Sequence, residues 1–233
     1  MLILKGTIIM CTAISFLSKD HYFGRNLDLE YSYEETITIT PRNFPLHFRH
    51  KETLKHHYAL VGMAYIQDKY PLYYESTNEF GLSMAGLHFP EYTEYKEKHP
   101  SLDNITPFEF IPWILGQCKT VDDARPFLDK LNLIDESFSS SLPLTPLHWM
   151  IADSKTSIII ECTKSGLKIY DNPTGVMTNT PTFDVHLENL NTATTIPGNW
   201  SSASRFIRAV HVKQTSVHPA REAERVSQFF SHP

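Results

Sequence analysis

The chain has 233 residues, 41% of them hydrophobic and 20% charged, with a formal net charge of -5. That length supports a full hydrophobic core in one domain, and an acidic balance without a basic block or stripe excludes a nucleic-acid or anionic-membrane partner. No run approaches the roughly 20 apolar residues of a membrane span, and three cysteines, Cys11, Cys118 and Cys162, make poor disulfide material and point to the cytoplasm.

Residues 1–10 carry an apolar run that could begin an export signal, but Lys5 interrupts it. Bulky Met10 also stands before Cys11, where a cleavage site needs a small residue. Both features argue against secretion and against a lipid anchor on Cys11. Residues 1–10 are expected to be a leader or a misassigned start, ahead of a single domain over residues 11–233. Without export, the acceptor-like Asn104-Ile105-Thr106 and Asn199-Trp200-Ser201 are chance matches.

The first half reads as β. Thr12 to Leu17 and Tyr22 to Asn26 are β-branched and aromatic runs joined by Ser18-Lys19-Asp20, a hairpin signal. Thr36 to Thr40 alternates Thr with Ile and predicts a strand with one buried face. Tyr58 to Ile66, Leu72 to Ser76 and Leu82 to Leu87 continue the pattern, with a turn over Asn78 to Gly81. Thr106-Pro107-Phe108-Glu109 then opens a helix that ends near Gly116. Thr120-Val121-Asp122-Asp123 opens a second, which Pro126 should shorten or kink. Strands return at Leu147 to Ala152, Ser157 to Glu161 and Leu167 to Tyr170. Phe183 to Leu190, Ser202 to Val212 and Ala220 to Phe230 read as helices, and 138–146 and 192–204 as loops. Blocks of strands, helices, strands and helices predict an α+β fold with stacked antiparallel sheets covered by helices.

Cys11 is the residue with most chemical potential. A cysteine that begins a mature chain carries its thiol and a free amine together, and that amine can take the thiol's proton. From residue type alone, a cysteine in a β-run is more often a small buried hydrophobe. Likewise Arg25-x-x-Asp28 reads as an ion pair and Thr178-Asn179-Thr180-Pro181 as a turn. Cys118 and Cys162 read as structural. The twelve histidines, His47, His50, His56 and His57 among them, show no metal-ligand spacing and read as surface or loop residues.

Met10-Cys11-Thr12-Ala13-Ile14, followed by Asp20 to Asp28 (DHYFGRNLD), resembles the opening of the choloylglycine hydrolases, the bile salt hydrolases and penicillin V acylases of the N-terminal-nucleophile superfamily. Further matches follow in family order. They are Asn78 to Leu82 with Ala85 to Pro90, Asn104 to Gln117, Leu147-His148-Trp149, Tyr170 to Pro173, Val176 to Asn179, and Ser204 to Arg208. The resemblance implies an αββα sandwich, no metal or cofactor, and hydrolysis of glycine- or taurine-conjugated bile salts through a thioester. Penicillin V acylase activity and a non-catalytic remnant are the alternatives. It further implies Cys11 as nucleophile, Asp28 holding its freed amine, and Arg25 beside the thiol. Asn179 and a backbone N–H near His88 would form the oxyanion hole, and Arg205 is the remaining active-site arginine. Pocket material is expected from Phe23 to Tyr33, Met63 to Ile66 and Phe138.

Four departures accompany the match. Nine residues precede Met10, so Cys11 must be exposed by a start at Met10 or by self-cleavage. His88 stands where bile salt hydrolases carry Asn and penicillin V acylases Tyr. The stretch from Asn179 to Arg205 is short, which removes an assembly segment and weakens the expectation of a homo-oligomer. The chain ends at Pro233, where further sheet strands are expected in the family.

Overall fold

The computed structural model describes residues 10–28 and 32–215; the helix expected over Ala220 to Phe230 lies outside them. Strand β1 (Thr12–Leu17) turns through 18–20 into β2 (His21–Asn26), as the hairpin signal predicts. After β3 (Thr36–Thr40), the meander β4 (Leu60–Gln67), β5 (Tyr70–Asn78) and β6 (Ser83–His88) follows. Gly81, with φ 84°, takes the left-handed position of the turn between β5 and β6, a conformation cheap for glycine alone. Two three-residue strands, β7 (Asp103–Ile105) and β8 (Leu131–Leu133), form a small parallel pair around the helical block.

Glu109 accepts from the Thr106 N–H at 3.3 Å, so the glutamate half of the predicted capping box forms, while the Thr106 hydroxyl has no partner. The element begins as a single 3-10 turn and continues as α1 (Phe110–Leu115). Helix α2 (Val121–Leu128) has both halves of its box, Asp123 N–H to Thr120 Oγ1 at 3.1 Å and Thr120 N–H to Asp123 Oδ2 at 3.0 Å. With Pro126 inside it, α2 stops at Leu128. Strands β9 (Leu147–Ala152), β10 (Ser157–Thr163), β11 (Gly166–Asp171) and the two-residue β12 (Val176–Met177) precede α3 (Phe183–Thr192) and α4 (Ser202–Thr215).

The strands make a seven-stranded sheet in the order β11-β10-β9-β6-β5-β4-β3 and a three-stranded sheet β12-β1-β2. Central strands of the large sheet are buried on both faces, which explains the apolar stretches Trp149 to Ala152 in β9 and Ile158 to Ile160 in β10. Their side chains alternate between two cores. Trp149, Ile151, Ile158 and Ile160 pack with Phe110, Ile114 and Val121 of the first helix pair. Met150, Ala152 and Ile159 pack with Ala13, Val176, Phe183 and Phe206 of the small sheet and second helix pair. With α4 lying on β1 and β12, the layers run helix, sheet, sheet, helix, an αββα sandwich.

Strand β3 turns its isoleucines outward. Ile37 and Ile39 are 73% and 71% exposed, and Thr40 is the buried residue. It is the edge strand of the large sheet, with Thr36 exposed, Thr38 half-buried and Thr40 in the core.

Asn78 joins the turn of the meander to α1. Its Nδ2 donates to the carbonyls of Leu115 and Cys118 at 2.9 and 2.7 Å, and its Oδ1 accepts from the N–H groups of Phe80 and Leu82. These bonds satisfy backbone groups that the helix end and the turn would otherwise bury unpaired. Asn78→Ala is expected to lower unfolding free energy by about 2–4 kcal/mol in urea titration; a loss below about 0.5 kcal/mol would contradict this accounting.

Candidate active site

The site follows from strand register. Strand β1 pairs with β12 so that Ala13 faces Met177, and two residues further Asn179 comes opposite Cys11. The Cys11 N–H accordingly donates to Asn179 Oδ1 at 2.9 Å. On its other side β1 pairs with β2, Thr12 facing Asn26 and Ala13 facing Arg25. Arg25 therefore shares a sheet face with Cys11, and its Nη2 donates to Sγ at 3.4 Å. The same register carried past the strand ends aligns Met10 with Asp28, whose Oδ2 accepts the Met10 N–H at 2.9 Å.

Asp28 thus contacts the residue before Cys11, whereas the sequence expectation assigned it to the nitrogen of Cys11 itself. While Met10 is attached, that nitrogen is a peptide N–H with a single hydrogen, and Asn179 takes it. Asn26, absent from the expected site, holds the backbone on both sides of Cys11. Its Nδ2 donates to the Met10 carbonyl at 2.7 Å and its Oδ1 accepts from the Thr12 N–H at 2.5 Å. Its place inside the Gly24-Arg25-Asn26-Leu27-Asp28 motif was the available signal.

Arg205 reaches in from α4. Nη1 donates to the Cys11 carbonyl at 2.5 Å and Thr12 Oγ1 at 2.8 Å, and Nη2 to Asn179 Oδ1 at 2.8 Å. Burial brings its guanidinium down to about 10, so it stays charged at neutral pH. Asn179 Nδ2 donates to the His88 carbonyl at 2.8 Å. Two donors on its oxygen and an acceptor on its nitrogen fix the amide orientation, and one Nδ2 hydrogen is left for a further acceptor. His88 is half-buried at the end of β6, its imidazole held low first by burial and then by neighbouring His148. The expected residues therefore converge: Arg25, Asn179 and Arg205 contact Cys11, His88 joins through Asn179, and Asp28 contacts the residue before it.

Sequence reasoning missed Glu75 on β5. Arg25 Nη1 pairs with Glu75 Oε2 at 2.8 Å across the two sheets, with the arginine side chain 3% exposed. Burial pushes the Glu75 carboxyl up while Arg25 opposes that shift. A carboxylate among the tyrosines of β5 was the only hint. The expectation that the histidines lie on surfaces or loops fails for His148 and His186, each 1% exposed, while His57, at 7%, is a buried loop residue. His148 belongs to β9 and His186 to α3, and both spend ring N–H groups on backbone carbonyls, which makes burial affordable.

A cavity of about 360 Å³ opens onto Cys11, Arg25 and His88. Its walls are largely apolar and aromatic, including Tyr65, Phe108, Phe138, Leu142 and Trp149. Expected pocket residues Leu27, Tyr33, Tyr65 and Phe138 line it; Phe23 and Met63 do not. Phe23 lies one pleat repeat beyond Arg25 toward the hairpin and borders a different cavity. Opposite Met63 and Ala64 the register slips, with Tyr74 as the extra residue on β5. Loop 138–146 supplies one wall, its base fixed by Arg49, whose guanidinium lies 4.9 Å from the Phe108 ring and donates to the Ser137 carbonyl at 2.7 Å.

Among the described residues no group of acidic, histidine or cysteine side chains could hold a metal ion. Cys118 and Cys162 are buried and free, their thiols pushed up by burial to about 12 and about 11.

Burial holds the His186 imidazole down at about 4. Because an unfolded histidine takes its proton near 6.5, this ring stabilises the fold fully above about pH 6.5 and loses that contribution as pH falls toward 4. Urea unfolding across that window should show a steeper loss for the wild type than for His186→Gln. Equal slopes would contradict the assignment.

The family model for linear amide C–N hydrolases, choloylglycine hydrolase family, matches residues 11–196 and 192–232. A bile salt hydrolase/transferase of Lactiplantibacillus plantarum is 47% identical, over 95% of this chain and 76% of its own length. The crystal structure of a mutant conjugated bile acid hydrolase from Clostridium perfringens superposes with a TM-score of 0.86 at 34% identity, covering 94% of this chain and 79% of that one. A penicillin V acylase from Agrobacterium tumefaciens shares the fold, with a TM-score of 0.78 at 20% identity over 96% of this chain and 73% of that one. With an αββα sandwich and these matches along its length, the chain belongs to the linear amide C–N hydrolases of the choloylglycine hydrolase family.

Proposed function

We propose that the protein cleaves the amide bond of glycine- or taurine-conjugated bile salts, with Cys11 as an N-terminal nucleophile. The observation that carries this reading is the Cys11 thiol, 3.4 Å from a buried guanidinium, at the floor of an apolar cavity large enough for a rigid hydrophobic acid. The similarity to the Lactiplantibacillus plantarum bile salt hydrolase/transferase supports the substrate class. Penicillin V acylase activity has less support, since that structural likeness is at 20% identity.

In the active form the chain begins at Cys11, and its nitrogen is an amine rather than an amide. That amine takes the thiol proton, and Arg25 stabilises the negative charge on sulfur. Sulfur attacks the substrate carbonyl, forming a carbon–sulfur bond. The charge that develops on oxygen is met by the remaining Asn179 Nδ2 hydrogen and a backbone N–H near His88. The protonated amine gives its proton to the departing glycine or taurine nitrogen as the carbon–nitrogen bond breaks, leaving a thioester. Water, deprotonated by the same amine, then releases the bile acid and restores the thiol. Asp28, freed from the Met10 N–H, accepts from the new amine and keeps it aimed at sulfur. Three buried, unpaired thiols support a reading in which the reaction takes place in the cytoplasm.

Rates on taurocholate, glycocholate and penicillin V test the substrate, and Cys11→Ala and Cys11→Ser test the nucleophile. Both variants should lose at least about 10³-fold in kcat/KM on the conjugated bile salts while still binding them. Substantial turnover by Cys11→Ala would refute the nucleophile. Faster cleavage of penicillin V than of either bile salt would overturn the substrate, and cooperative folding with no turnover of any would favour the non-catalytic reading.

A further inference from the structure

Two fully buried histidines stand behind the cysteine cluster without lining its cavity. His148, on the large sheet, places Nε2 2.8 Å from the Thr178 carbonyl. His186, on α3, places Nε2 2.9 Å from the Asn179 carbonyl. A carbonyl oxygen only accepts, so both Nε2 atoms carry the proton and donate. Imidazoles from two different layers therefore grip consecutive carbonyls of the backbone that presents the Asn179 amide.

Neither ring is free to turn. His148 stacks on Phe89 with centroids 4.2 Å apart and planes within 3°, and His186 stacks on Phe206 at 4.8 Å. Glu161 Oε1 sits 3.4 Å from His148 Nδ1 and accepts the Phe183 N–H at 2.9 Å, tying the start of α3 to the same unit. The other end is held by Thr178, whose hydroxyl bonds Ser202 at the start of α4. If these positions needed volume alone, a leucine or phenylalanine would fill them without burying polar nitrogen, one atom of which, His186 Nδ1, has no partner. What the rings add is a pair of fixed donors on the carbonyls around Asn179.

We infer that His148 and His186 are positioning residues for Asn179, holding its backbone so that the amide keeps its oxygen on Cys11 and Arg205 and its nitrogen on His88. The inference rests on the proposed amide hydrolysis for its kinetic consequence, because Asn179 is the side chain that meets the developing oxyanion. The two carbonyl grips make the amide's place a property of the packed interior rather than of a turn.

The test compares leucine and glutamine at each histidine, in the wild type and in Asn179→Ala, with kcat and KM measured on taurocholate. Glutamine can return an N–H close to the position of Nε2; leucine fills volume without a donor. His186→Leu and His148→Leu should each lower kcat by about 10–100-fold with KM within about two-fold, and the glutamine variants should recover most of the loss. In the Asn179→Ala background the leucine changes should cost under about two-fold, since the group they position is gone. An equal cost with and without Asn179, or glutamine no better than leucine, would overturn the inference. A substrate-independent readout separates it from the bile-salt reading: the Asn179 side-chain amide signal in NMR, identified by its loss in Asn179→Ala. It should shift or broaden in the leucine variants and persist in the glutamine variants, whether or not taurocholate is cleaved, and an unchanged signal in the leucine variants would overturn the inference. If leucine prevents folding, His186→Asn, whose shorter amide falls short of the carbonyl, takes its place with the same expected outcomes.

Discussion

The arrangement at Cys11 depends on the antiparallel register of β1 with neighbours on both sides. One pairing sets Cys11 against Asn179, 168 positions later in the chain, and the other sets the Cys11 face beside Arg25. Sheet register is quantised, because a slip by one residue sends every side chain to the opposite face. Either the whole set of contacts forms or none of it does. Alternation also places Ala13 in the core shared by the two sheets, so the packing that fixes register is continuous with the site that uses it.

Electrostatically the cluster sets two guanidiniums, Arg25 and Arg205, among two carboxylates, Glu75 and Asp28. Arg25 has a carboxylate partner in Glu75, but the partners of Arg205 around Cys11 are neutral oxygens. Desolvation of that second guanidinium is offset by short hydrogen bonds rather than by an opposite charge, which is why it is brought down to about 10. Two guanidiniums close to a sulfur suit a reaction whose charged species are a thiolate and an oxyanion. The aromatic walls add low polarity above these groups, and water excluded by a bound apolar acid would strengthen every contact beneath it.

Much of the sandwich was legible because its strands are long enough to show a period. Strands β1, β3 and β9 lie where alternation and apolar runs put them. Strands β7, β8 and β12 were not legible, since two or three residues carry no periodicity, yet β12 is the strand that delivers Asn179. The alternation in 36–40 signalled a strand correctly, but which face is buried depends on what packs against it, and no local pattern encodes that. Cys11, Arg25, Asn179 and Arg205 were named from motifs. Glu75, Asn26, His148 and His186 were not, because each acquires its partner through pairing or packing between distant segments. Asp28 illustrates the remaining gap: the motif names the carboxylate, but the attached Met10 decides which nitrogen it holds.

In this account a single sulfur draws its proton acceptor from the amine of its own residue, so the working polypeptide has to start there. Intact mass spectrometry on a preparation that cleaves taurocholate tests this most directly. The account predicts a mass for a chain whose first residue is Cys11. A fully active preparation whose mass still includes Met10 would contradict it.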